Sequence, residues 1–234
     1  MIKLEICANS VESAWAAYKG GAQRIELCTN LEEGGTTPTW GMMKQVAEIP
    51  SITKHILIRP RTGDFCYNTY EVNTMIENIK VAKSLGMNGI VIGCLLPNGS
   101  LDIITLNRLI MAASGMNITF HRAFDCCINP LKTLQQIIDL GCNYLLTSGQ
   151  AETAELGIDM LKTLREQAKN DLIILPGKGI NENNILKIKK ETGLKEFHSS
   201  ASQLIDNQNK TIEEKVRKMR NLICPAINIS TRKA

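Results

Sequence analysis

Charged and polar side chains follow several short apolar runs of this sequence, at positions where they could do chemistry. In the stretch TFHRAFD, the residues His121, Arg122 and Asp125 come directly after the apolar part of NITF. An imidazole and two full charges are costly at the end of a buried strand unless they are paired or used. Histidine and carboxylate groups transfer protons and arginine binds anions, so this stretch indicates acid–base or anion-binding chemistry.

Comparable residues end other apolar runs. They are Glu5 and Cys7 in KLEIC, Glu26 and Cys28 in RIELC, Arg59 and Arg61 in HILIRPR, and His198, Ser199 and Ser200 in EFHSS. Because side chains alternate along a strand, the two members of each spaced pair share one face. We predict a polar pocket at these strand ends, built from Glu5, Glu26, Arg59, His121 and His198.

The residue types suggest a role for each member of this pocket. Glu26, His121 and His198 are the proton-transfer candidates, with Glu5 beside them. Arg59 and Arg61 are expected to bind an anion, and Asp125 is a further ligand contact. The alternative is a buried charge network that only stabilises the fold, but so many polar residues on separate strand ends favour a functional pocket.

Glycines and serines near the end of the chain predict an anion site. Many barrels bind phosphate with the loops after strands seven and eight. In PGKGI, Gly177 and Gly179 would let backbone N–H groups approach an anion, and in HSSA, Ser199 and Ser200 would add hydroxyl groups. The alternative is an ordinary glycine turn between a strand and a helix.

The cysteines raise the question of a metal. The chain has eight cysteines and no C-x-x-C pair, so we expect free thiols and no zinc site. Copper(I) prefers soft thiolate ligands. Cys7 and Cys28 end neighbouring predicted strands, which would lie about 4.8 Å apart, so they are the copper(I) candidates. The alternative is that they are small buried hydrophobic residues.

The spacing of the apolar runs predicts the fold. Eight runs start at residues 3, 24, 55, 89, 117, 144, 172 and 196 and alternate with amphipathic segments. Their mean separation of about 28 residues is close to that of the βα unit of a barrel. We predict an α/β fold, a single-domain TIM-type (β/α)8 barrel over residues 2–201, followed by a C-terminal helix and tail over 202–234. A doubly wound open sheet is the alternative.

Capping residues predict where several helices begin. The expected N-caps are Asn9 with Glu12, Asn68 with Glu71, Asn129 before Pro130, and Asn181, and a last helix is expected over residues 211–221. In such a barrel the carboxyl ends of the strands form the site, which would bring the polar residues above together.

Composition excludes some classes of partner. The net charge is +4, from 27 basic and 23 acidic residues, and aromatic residues make up 4%. This balance favours neither a nucleic acid nor a membrane surface. The N-terminal stretch MIKLEICANS does not read as a signal peptide, and no apolar run is long enough to span a bilayer.

Seven motifs together resemble one protein family. VESAWAAYKGGAQRIELC, EGGTTPT, IRPRTGDFCY, TFHRAFD, LTSG, PGKGI and EFHSSA stand in the order and spacing of the CutC family of copper homeostasis proteins. The resemblance covers residues 2–201. It implies a TIM-type barrel, a cytoplasmic location, a homodimer, and a role in copper tolerance or trafficking with copper(I) bound by cysteines.

The resemblance carries over residue by residue. Cys28 matches most clearly as a thiol ligand, and Cys7 also matches. Many relatives have cysteine where this chain has Ser199, which weakens a thiol site, and some have glycine at Lys178, where the lysine favours an anionic ligand. Cys126 and Cys127 lie outside the shared motif, so no function is carried over to them.

Two main functions therefore stand at this point. One is a copper homeostasis protein that binds copper(I) through thiols. The other is an enzyme, either a lyase, an isomerase or a hydrolase, acting on a small phosphorylated or carboxylated metabolite, because copper(I) has no need of so many arginine, glutamate and histidine side chains. A scaffold with a vestigial pocket is a third reading.

Overall fold

Eight parallel strands form a nearly closed barrel in the computed structural model, which describes residues 2–224. The strands are β1 (Lys3–Ala8), β2 (Arg24–Leu27), β3 (Thr53–Leu57), β4 (Gly89–Ile92), β5 (Asn117–Phe120), β6 (Tyr144–Thr147), β7 (Ile173–Pro176) and β8 (Glu196–Ser199). Each strand from β1 to β6 pairs with the next along the chain, β8 pairs with β1, and β7 contacts β8. The predicted TIM-type barrel is confirmed, and this unbroken order excludes the doubly wound sheet.

Helices connect the strands. They are α1 (Val11–Lys19), α2 (Trp40–Ala47), α3 (Thr69–Ser84), α4 (Ile103–Ala112), α5 (Pro130–Asp139), α6 (Ile158–Ala168) and α7 (Ile185–Thr192), and α8 (Glu213–Ile223) follows the barrel. The helices bury an apolar face; in α5, for example, Leu134 and Ile137 are buried. Within the described residues, no helix has the length and apolar character that a membrane crossing requires.

Helix capping follows the predictions in part. Asn68 and Glu71 form the predicted capping box of α3, and Asn129 caps α5 before Pro130. The prediction for α1 was wrong, because Ser10 rather than Asn9 accepts the hydrogen bond from the Ser13 backbone.

Two further boundaries differ from the sequence prediction. The helix expected to start at Asn181 begins at Ile185, because Asn181 accepts from the Asn183 backbone in a turn that precedes it. The last helix, expected over residues 211–221, is Glu213–Ile223. The predicted tail beyond residue 224 lies outside the described residues.

A hairpin that the sequence analysis did not predict follows β8. Its strands are β9 (Ser202–Ile205) and β10 (Gln208–Thr211), joined by Asp206 and Asn207, both with positive φ. Asn9 donates to the Asn209 carbonyl at 2.7 Å, so the hairpin lies against the end of β1. This contact places the hairpin beside the carboxyl ends of the strands.

Alternation along the strands divides the buried residues into two groups. Leu4 and Ile6 of β1 belong to the main apolar core between strands and helices. Glu5 and Cys7, which alternate with them, turn to the barrel interior, where Cys7 packs with Leu57 and Val91 in a separate small cluster. Glu5 therefore lies inside the barrel, where a carboxylate needs a cationic partner.

Candidate active site

A cavity of about 580 Å³ opens at the carboxyl ends of the strands. Strand ends and the residues after them supply Cys7, Glu26, Arg59, His121, His198, Ser199 and Ser200 to its wall. Loops supply Gly34, Phe65, Lys178 and Gly179, and the C-terminal segment supplies Ser202, Asn209 and Lys215. Residues distant in sequence thus share one concave surface, as expected for a barrel.

Glu26 is the acidic side chain at the floor of this cavity. Its Oε1 lies 3.8 Å from the Cys7 thiol, and its Oε2 lies 4.0 Å from His198 Nδ1. Glu26 Oε2 is buried and has no hydrogen-bond partner among the described residues. Burial, together with the nearby charge of Glu5, raises the pKa of Glu26 to about 7 against the partial compensation of His198. A carboxyl group poised near neutral pH suits general acid–base work.

Glu5 and His198 form a buried pair next to Glu26. His198 Nδ1 lies 2.6 Å from Glu5 Oε1. Burial alone would raise the pKa of Glu5, but Arg24 and His198 outweigh it and hold that pKa well below the usual range. Burial alone would lower the pKa of His198, but the charges of Glu26 and Glu5 outweigh it and raise that pKa. An ionised Glu5 beside a protonated His198 is therefore favoured at neutral pH.

Arg24 is the cation that the interior carboxylates require. Its Nε donates to Glu5, and its Nη1 donates to Glu196 Oε2 at 2.9 Å. The guanidinium also lies over the ring of Tyr144, 4.3 Å from the ring centroid. Arg24 is not among the site residues predicted from the sequence, although it opens β2 on the same face as Glu26.

His121 presents a neutral imidazole to the cavity. Its Nδ1 accepts a hydrogen bond from the Ala123 backbone at 3.1 Å, so in the neutral ring the proton is on Nε2. Burial and the charge of Arg59 lower the pKa of His121 to about 3. His121 Nε2 is buried without a partner among the described residues. This histidine can donate a hydrogen bond to a ligand but does not readily accept a proton.

Arg59 uses most of its guanidinium to hold two loops. Its Nη1 donates to the carbonyls of Glu33 at 3.1 Å and Gly35 at 2.8 Å, and its Nη2 donates to the carbonyl of Gly63 at 2.7 Å. The side chain lines the cavity, and only Nε lacks a partner among the described residues. Arg59 therefore shapes the rim, which includes the glycine-rich EGGTTPT loop.

Two other predicted ligand contacts lie away from the cavity wall. Arg61 donates to Glu71 at 2.6 Å and to Asp64 at 2.8 Å. Asp125 accepts from Arg122 Nε at 3.0 Å and from the Ser148 hydroxyl at 3.0 Å, so it fastens the loop after β6. Neither side chain lines the cavity, which the structure builds without them.

The predicted anion site is brought together only in part. Gly179 and Ser200 line the cavity beside Lys178, whose φ of 79° is in the left-handed region. Gly177 does not line it; there a Cβ would lie 2.5 Å from Leu146 and 3.3 Å from His198. Ser199 lines the cavity, but its hydroxyl donates to the Ile180 carbonyl at 2.6 Å. Lys215, from α8, joins this side of the cavity and was not predicted.

The two copper candidates lie side by side. Cys7 Sγ is 3.5 Å from Cys28 Sγ, and Cys7 lines the cavity while Cys28 is fully buried behind it. The hydrogen bond with Cys28 and burial raise the pKa of the Cys7 thiol well above its usual value. Cys7, Glu26 and His198 place one potential ligand atom each within 4.8 Å of one another. A soft metal bound there would have to displace the thiol proton.

The other two cysteines of interest differ in exposure. Cys126 is exposed at the mouth of the cavity, and Cys127 is buried. Gln150 donates to the Cys127 carbonyl at 2.8 Å, so this segment is tied to the loop after β6.

Gly93 leaves the space that the His121 ring fills. A Cβ at Gly93 would lie 2.5 Å from that ring and 3.0 Å from Ala123. We expect Gly93→Ala to displace the ring and to lower the free energy of unfolding by about 1–3 kcal/mol. Gly41→Ala is the matched control, because a Cβ there meets nothing within 4 Å and alanine favours a helix by about 0.5–1 kcal/mol. Urea unfolding of both variants measures the contrast, and equal stabilities would contradict the packing described for His121.

The three histidines are expected to titrate differently. Burial lowers the pKa of His55 to about 4, as burial and Arg59 lower that of His121 to about 3. Both rings should therefore stay neutral at about pH 5.5. His198, by contrast, should still be protonated at pH 6.5, because its pKa is raised above the ordinary value of 6.5. Two-dimensional proton–nitrogen NMR recorded from about pH 5.5 upward tests these protonation states, and His121 should show its proton on Nε2. A His121 that titrates near pH 6.5 would contradict it.

Comparisons with known proteins agree with the barrel. The CutC family matches over residues 2–203. A CutC family protein of Bacteroides thetaiotaomicron is 50% identical over 215 residues, covering 92% of this chain and 86% of that protein. One from Bacteroides fragilis is 52% identical over 202 residues, covering 86% and 80%. The solved structure of a candidate copper homeostasis protein CutC from Streptococcus agalactiae is 34% identical, has a TM-score of 0.81, and aligns over 86% of this chain and 99% of that chain. The chain therefore belongs to the CutC family.

Proposed function

We propose that this protein is an acid–base enzyme that acts on a small anionic metabolite in the barrel cavity. The observation that carries the proposal is Glu26 Oε2, a buried carboxylate oxygen on the cavity wall that no described residue satisfies. Leaving such an atom without a partner costs about 1–3 kcal/mol or more, a cost that a ligand in the cavity would remove.

The proposed roles follow from the surroundings of each group. Glu26 transfers the proton, since its pKa of about 7 lets it act in both directions near neutral pH. Protonated His198, held by Glu5, adds positive charge beside it. The low pKa of His121 favours a hydrogen-bond donor over a proton acceptor. Lyase, isomerase and hydrolase chemistry all use such a set.

The anionic part of the substrate is expected near the loops that follow β7 and β8. Lys178 and Lys215 bring positive charge to the cavity, and Gly179 and Ser200 lie on the same side. Lys215 Nζ donates to the Ser202 carbonyl at 3.0 Å, which keeps its ammonium close to the cavity. A phosphate or carboxylate is the kind of group that such cations bind.

A thermal-shift screen with phosphorylated and carboxylated metabolites tests this function. We expect some of them to raise the melting temperature of the wild-type protein, and the double substitution Lys178→Ala with Lys215→Ala to weaken the shift. Lys132→Ala is the matched control, because this exposed lysine on α5 lies away from the cavity. The proposal is wrong if no anion in a broad panel stabilises the protein.

Copper(I) binding is the second candidate function, with the ion as cargo. It is supported by the Cys7 and Cys28 sulfur atoms 3.5 Å apart, with His198 and Glu26 next to Cys7. Thiolate and imidazole are ligands that copper(I) accepts. The similarity to the candidate copper homeostasis protein from Streptococcus agalactiae, at 34% identity, also supports this second candidate function.

Competition with a copper(I) chelator tests the second candidate. We expect Cys7→Ser to weaken binding more than tenfold, because Cys7 is the thiol on the cavity wall, and Cys28→Ser to weaken it as well. Cys66→Ser is the control, because Cys66 is half-buried in another loop. Equal affinities for wild type, Cys7→Ser and Cys28→Ser would exclude a thiol site here.

We also propose that the protein is a homodimer and that it is located in the cytoplasm. The apolar side chains of Ile104 and Met111, about two turns apart on the same face of α4, are each more than three-quarters exposed, which supports an interface there. Light scattering would show the oligomeric state, and Ile104→Lys with Met111→Lys should give a monomer if α4 is the contact. Fractionation of the native host would test the location.

A further inference from the structure

Two unpartnered polar atoms face the same cavity from different strands. Among the described residues, six buried side-chain nitrogen or oxygen atoms have no hydrogen-bond partner. Three belong to cavity-lining residues, namely Glu26 Oε2, His121 Nε2 and Arg59 Nε. Glu26 is only 4% exposed and His121 only 5%. One of these two offers an acceptor and the other a donor, so a ligand that satisfies both must carry a hydrogen-bond donor and an acceptor atom.

The donor at His121 is fixed in its chemical state. The hydrogen bond from Ala123 to Nδ1 leaves the proton on Nε2. The ring is held between Gly93, which leaves room only for a hydrogen atom, and Phe65, whose centroid lies 5.0 Å away. Burial and the charge of Arg59 keep the ring neutral. The donor is therefore uncharged and already oriented before a ligand binds.

An uncharged donor suits one kind of acceptor better than others. A phosphate or carboxylate carries its charge throughout a reaction, and Lys178 and Lys215 at the cavity are proposed above to bind such a group. A carbonyl oxygen is neutral in the substrate and gains negative charge as a neighbouring C–H bond breaks. A preorganised N–H donor stabilises that developing charge, which is how an oriented donor accelerates a reaction.

Resting on the proposed enzymatic function, we propose that the substrate is an anionic carbonyl compound and that the reaction begins with removal of a proton next to the carbonyl. In this step Glu26 Oε2 is the base and His121 Nε2–H is the donor to the carbonyl oxygen. A carboxylate base paired with a neutral imidazole donor is a known solution to this chemistry.

The step balances without any other reactant. Glu26 Oε2 takes the proton from the carbon, and the electrons of the C–H bond form a carbon–carbon double bond. The electrons of the C=O double bond move to the oxygen, which becomes an enolate oxygen bound by His121 Nε2–H. While the proton is on Glu26 it exchanges with solvent, and Glu26 then returns a proton to the same carbon as the enolate electrons re-form the C=O bond, so exchange of this hydrogen with solvent results and nothing is oxidised or reduced overall.

Matched pairs of small anions test the carbonyl requirement. Dihydroxyacetone phosphate is compared with glycerol 3-phosphate, and pyruvate with lactate, by thermal shift of the full chain. Each carbonyl probe is also incubated with the protein in D₂O, and proton NMR follows the loss of the signal next to the carbonyl. We expect the carbonyl member of a pair to give the larger thermal shift and its proton to exchange faster than without protein.

Two substitutions assign the exchange to the proposed groups. Glu26→Gln should reduce the exchange rate by about 10²- to 10⁴-fold. His121→Phe keeps an aromatic ring packed against Phe65 but removes the donor, and it should reduce the rate by about 10²- to 10³-fold. His121→Gln, which offers an amide N–H, should recover part of that loss, and Lys132→Ala should leave the rate unchanged. Circular dichroism shows that each variant is folded before it is assayed.

The outcomes separate this inference from the function on which it rests. If anions stabilise the protein but carbonyl probes bind no better than their alcohols and exchange no proton, the carbonyl assignment is wrong and the anion-binding enzyme stands. If no anion stabilises the protein, both are wrong. If folded His121→Phe exchanges as fast as wild type, His121 is not the donor.

Discussion

Replacing Arg24 by methionine is expected to lower the free energy of unfolding by about 3–5 kcal/mol. The side chain of Arg24 is 2% exposed, and its guanidinium is the shared partner of Glu5 and Glu196 inside the barrel. Methionine has a similar length, so the loss comes mainly from two carboxylates left without their cation. Urea unfolding at neutral pH measures the difference between the variant and the wild type.

Lys3→Met is the matched control for this substitution. Lys3 Nζ lies 3.3 Å from Glu196, the same carboxylate that Arg24 binds, but its side chain is 40% exposed. Ion pairs in contact with water contribute about 0–1 kcal/mol, so Lys3→Met should change stability little. If the two variants were equally stable, the interior charge cluster would not be what holds this end of the barrel together.

Glu26→Gln is expected to impair turnover while it relieves a cost to folding. If Glu26 is the base, its amide should lower kcat by about 10²- to 10⁴-fold. The pKa of Glu26 is raised from 4.5 to about 7, so the folded protein binds this proton more tightly than the unfolded chain does. Its contribution to stability is therefore full below about pH 4.5 and is lost as the pH rises to 7, a change of about 3 kcal/mol at about 1.4 kcal/mol per pKa unit.

The stability of Glu26→Gln relative to wild type, measured at two pH values, tests the direction of this pKa shift. Relative to wild type, Glu26→Gln should be more stable at about pH 8 than at about pH 5, because glutamine cannot ionise in the buried site. Glu152→Gln, at an exposed glutamate, should show no such difference between the two pH values. A Glu26→Gln variant that is equally active, or whose stability follows the same pH curve as wild type, would contradict the role given to this carboxyl.

The strand pattern of the barrel could be predicted because it depends on local composition. Buried parallel strands are short apolar runs. Their regular spacing along the chain arises because a helix follows each strand of a barrel. The capping box of Asn68 and Glu71 is equally local. The cap of α1 was harder, since Asn9 and Ser10 are both good N-caps, and Asn9 is drawn instead to Asn209 of the distant hairpin.

Partner choice inside the barrel could not be predicted in the same way. The predicted pocket placed Glu5 with Arg59, His121 and His198; His198 does bind it, but the arginine that binds it is Arg24. The reason is register, since Glu5 lies directly beside Arg24 in the pairing of β1 with β2. A sequence alone does not specify the register between neighbouring strands. It does indicate that Arg24 and Glu26, two residues apart on one strand, share a face.

Exposure and hydrogen-bond use also lay beyond the sequence. Arg59 lies on the cavity wall as expected, but loop carbonyls take up its Nη groups. Cys28 matched the family most clearly, yet Cys7 is the thiol that reaches the cavity. The hairpin and Lys215 come from a polar segment whose composition did not indicate a wall of the cavity.

The single carboxylate of Glu5 is divided between two tasks. One oxygen accepts from Arg24 and the other binds His198. A substitution that changes the charge around Glu5 therefore changes the pKa of His198 and also the ion pair with Arg24 that stabilises the barrel interior, since both depend on the same carboxylate. Arg24→Met should therefore shift the pH dependence of turnover in addition to its cost in the free energy of unfolding.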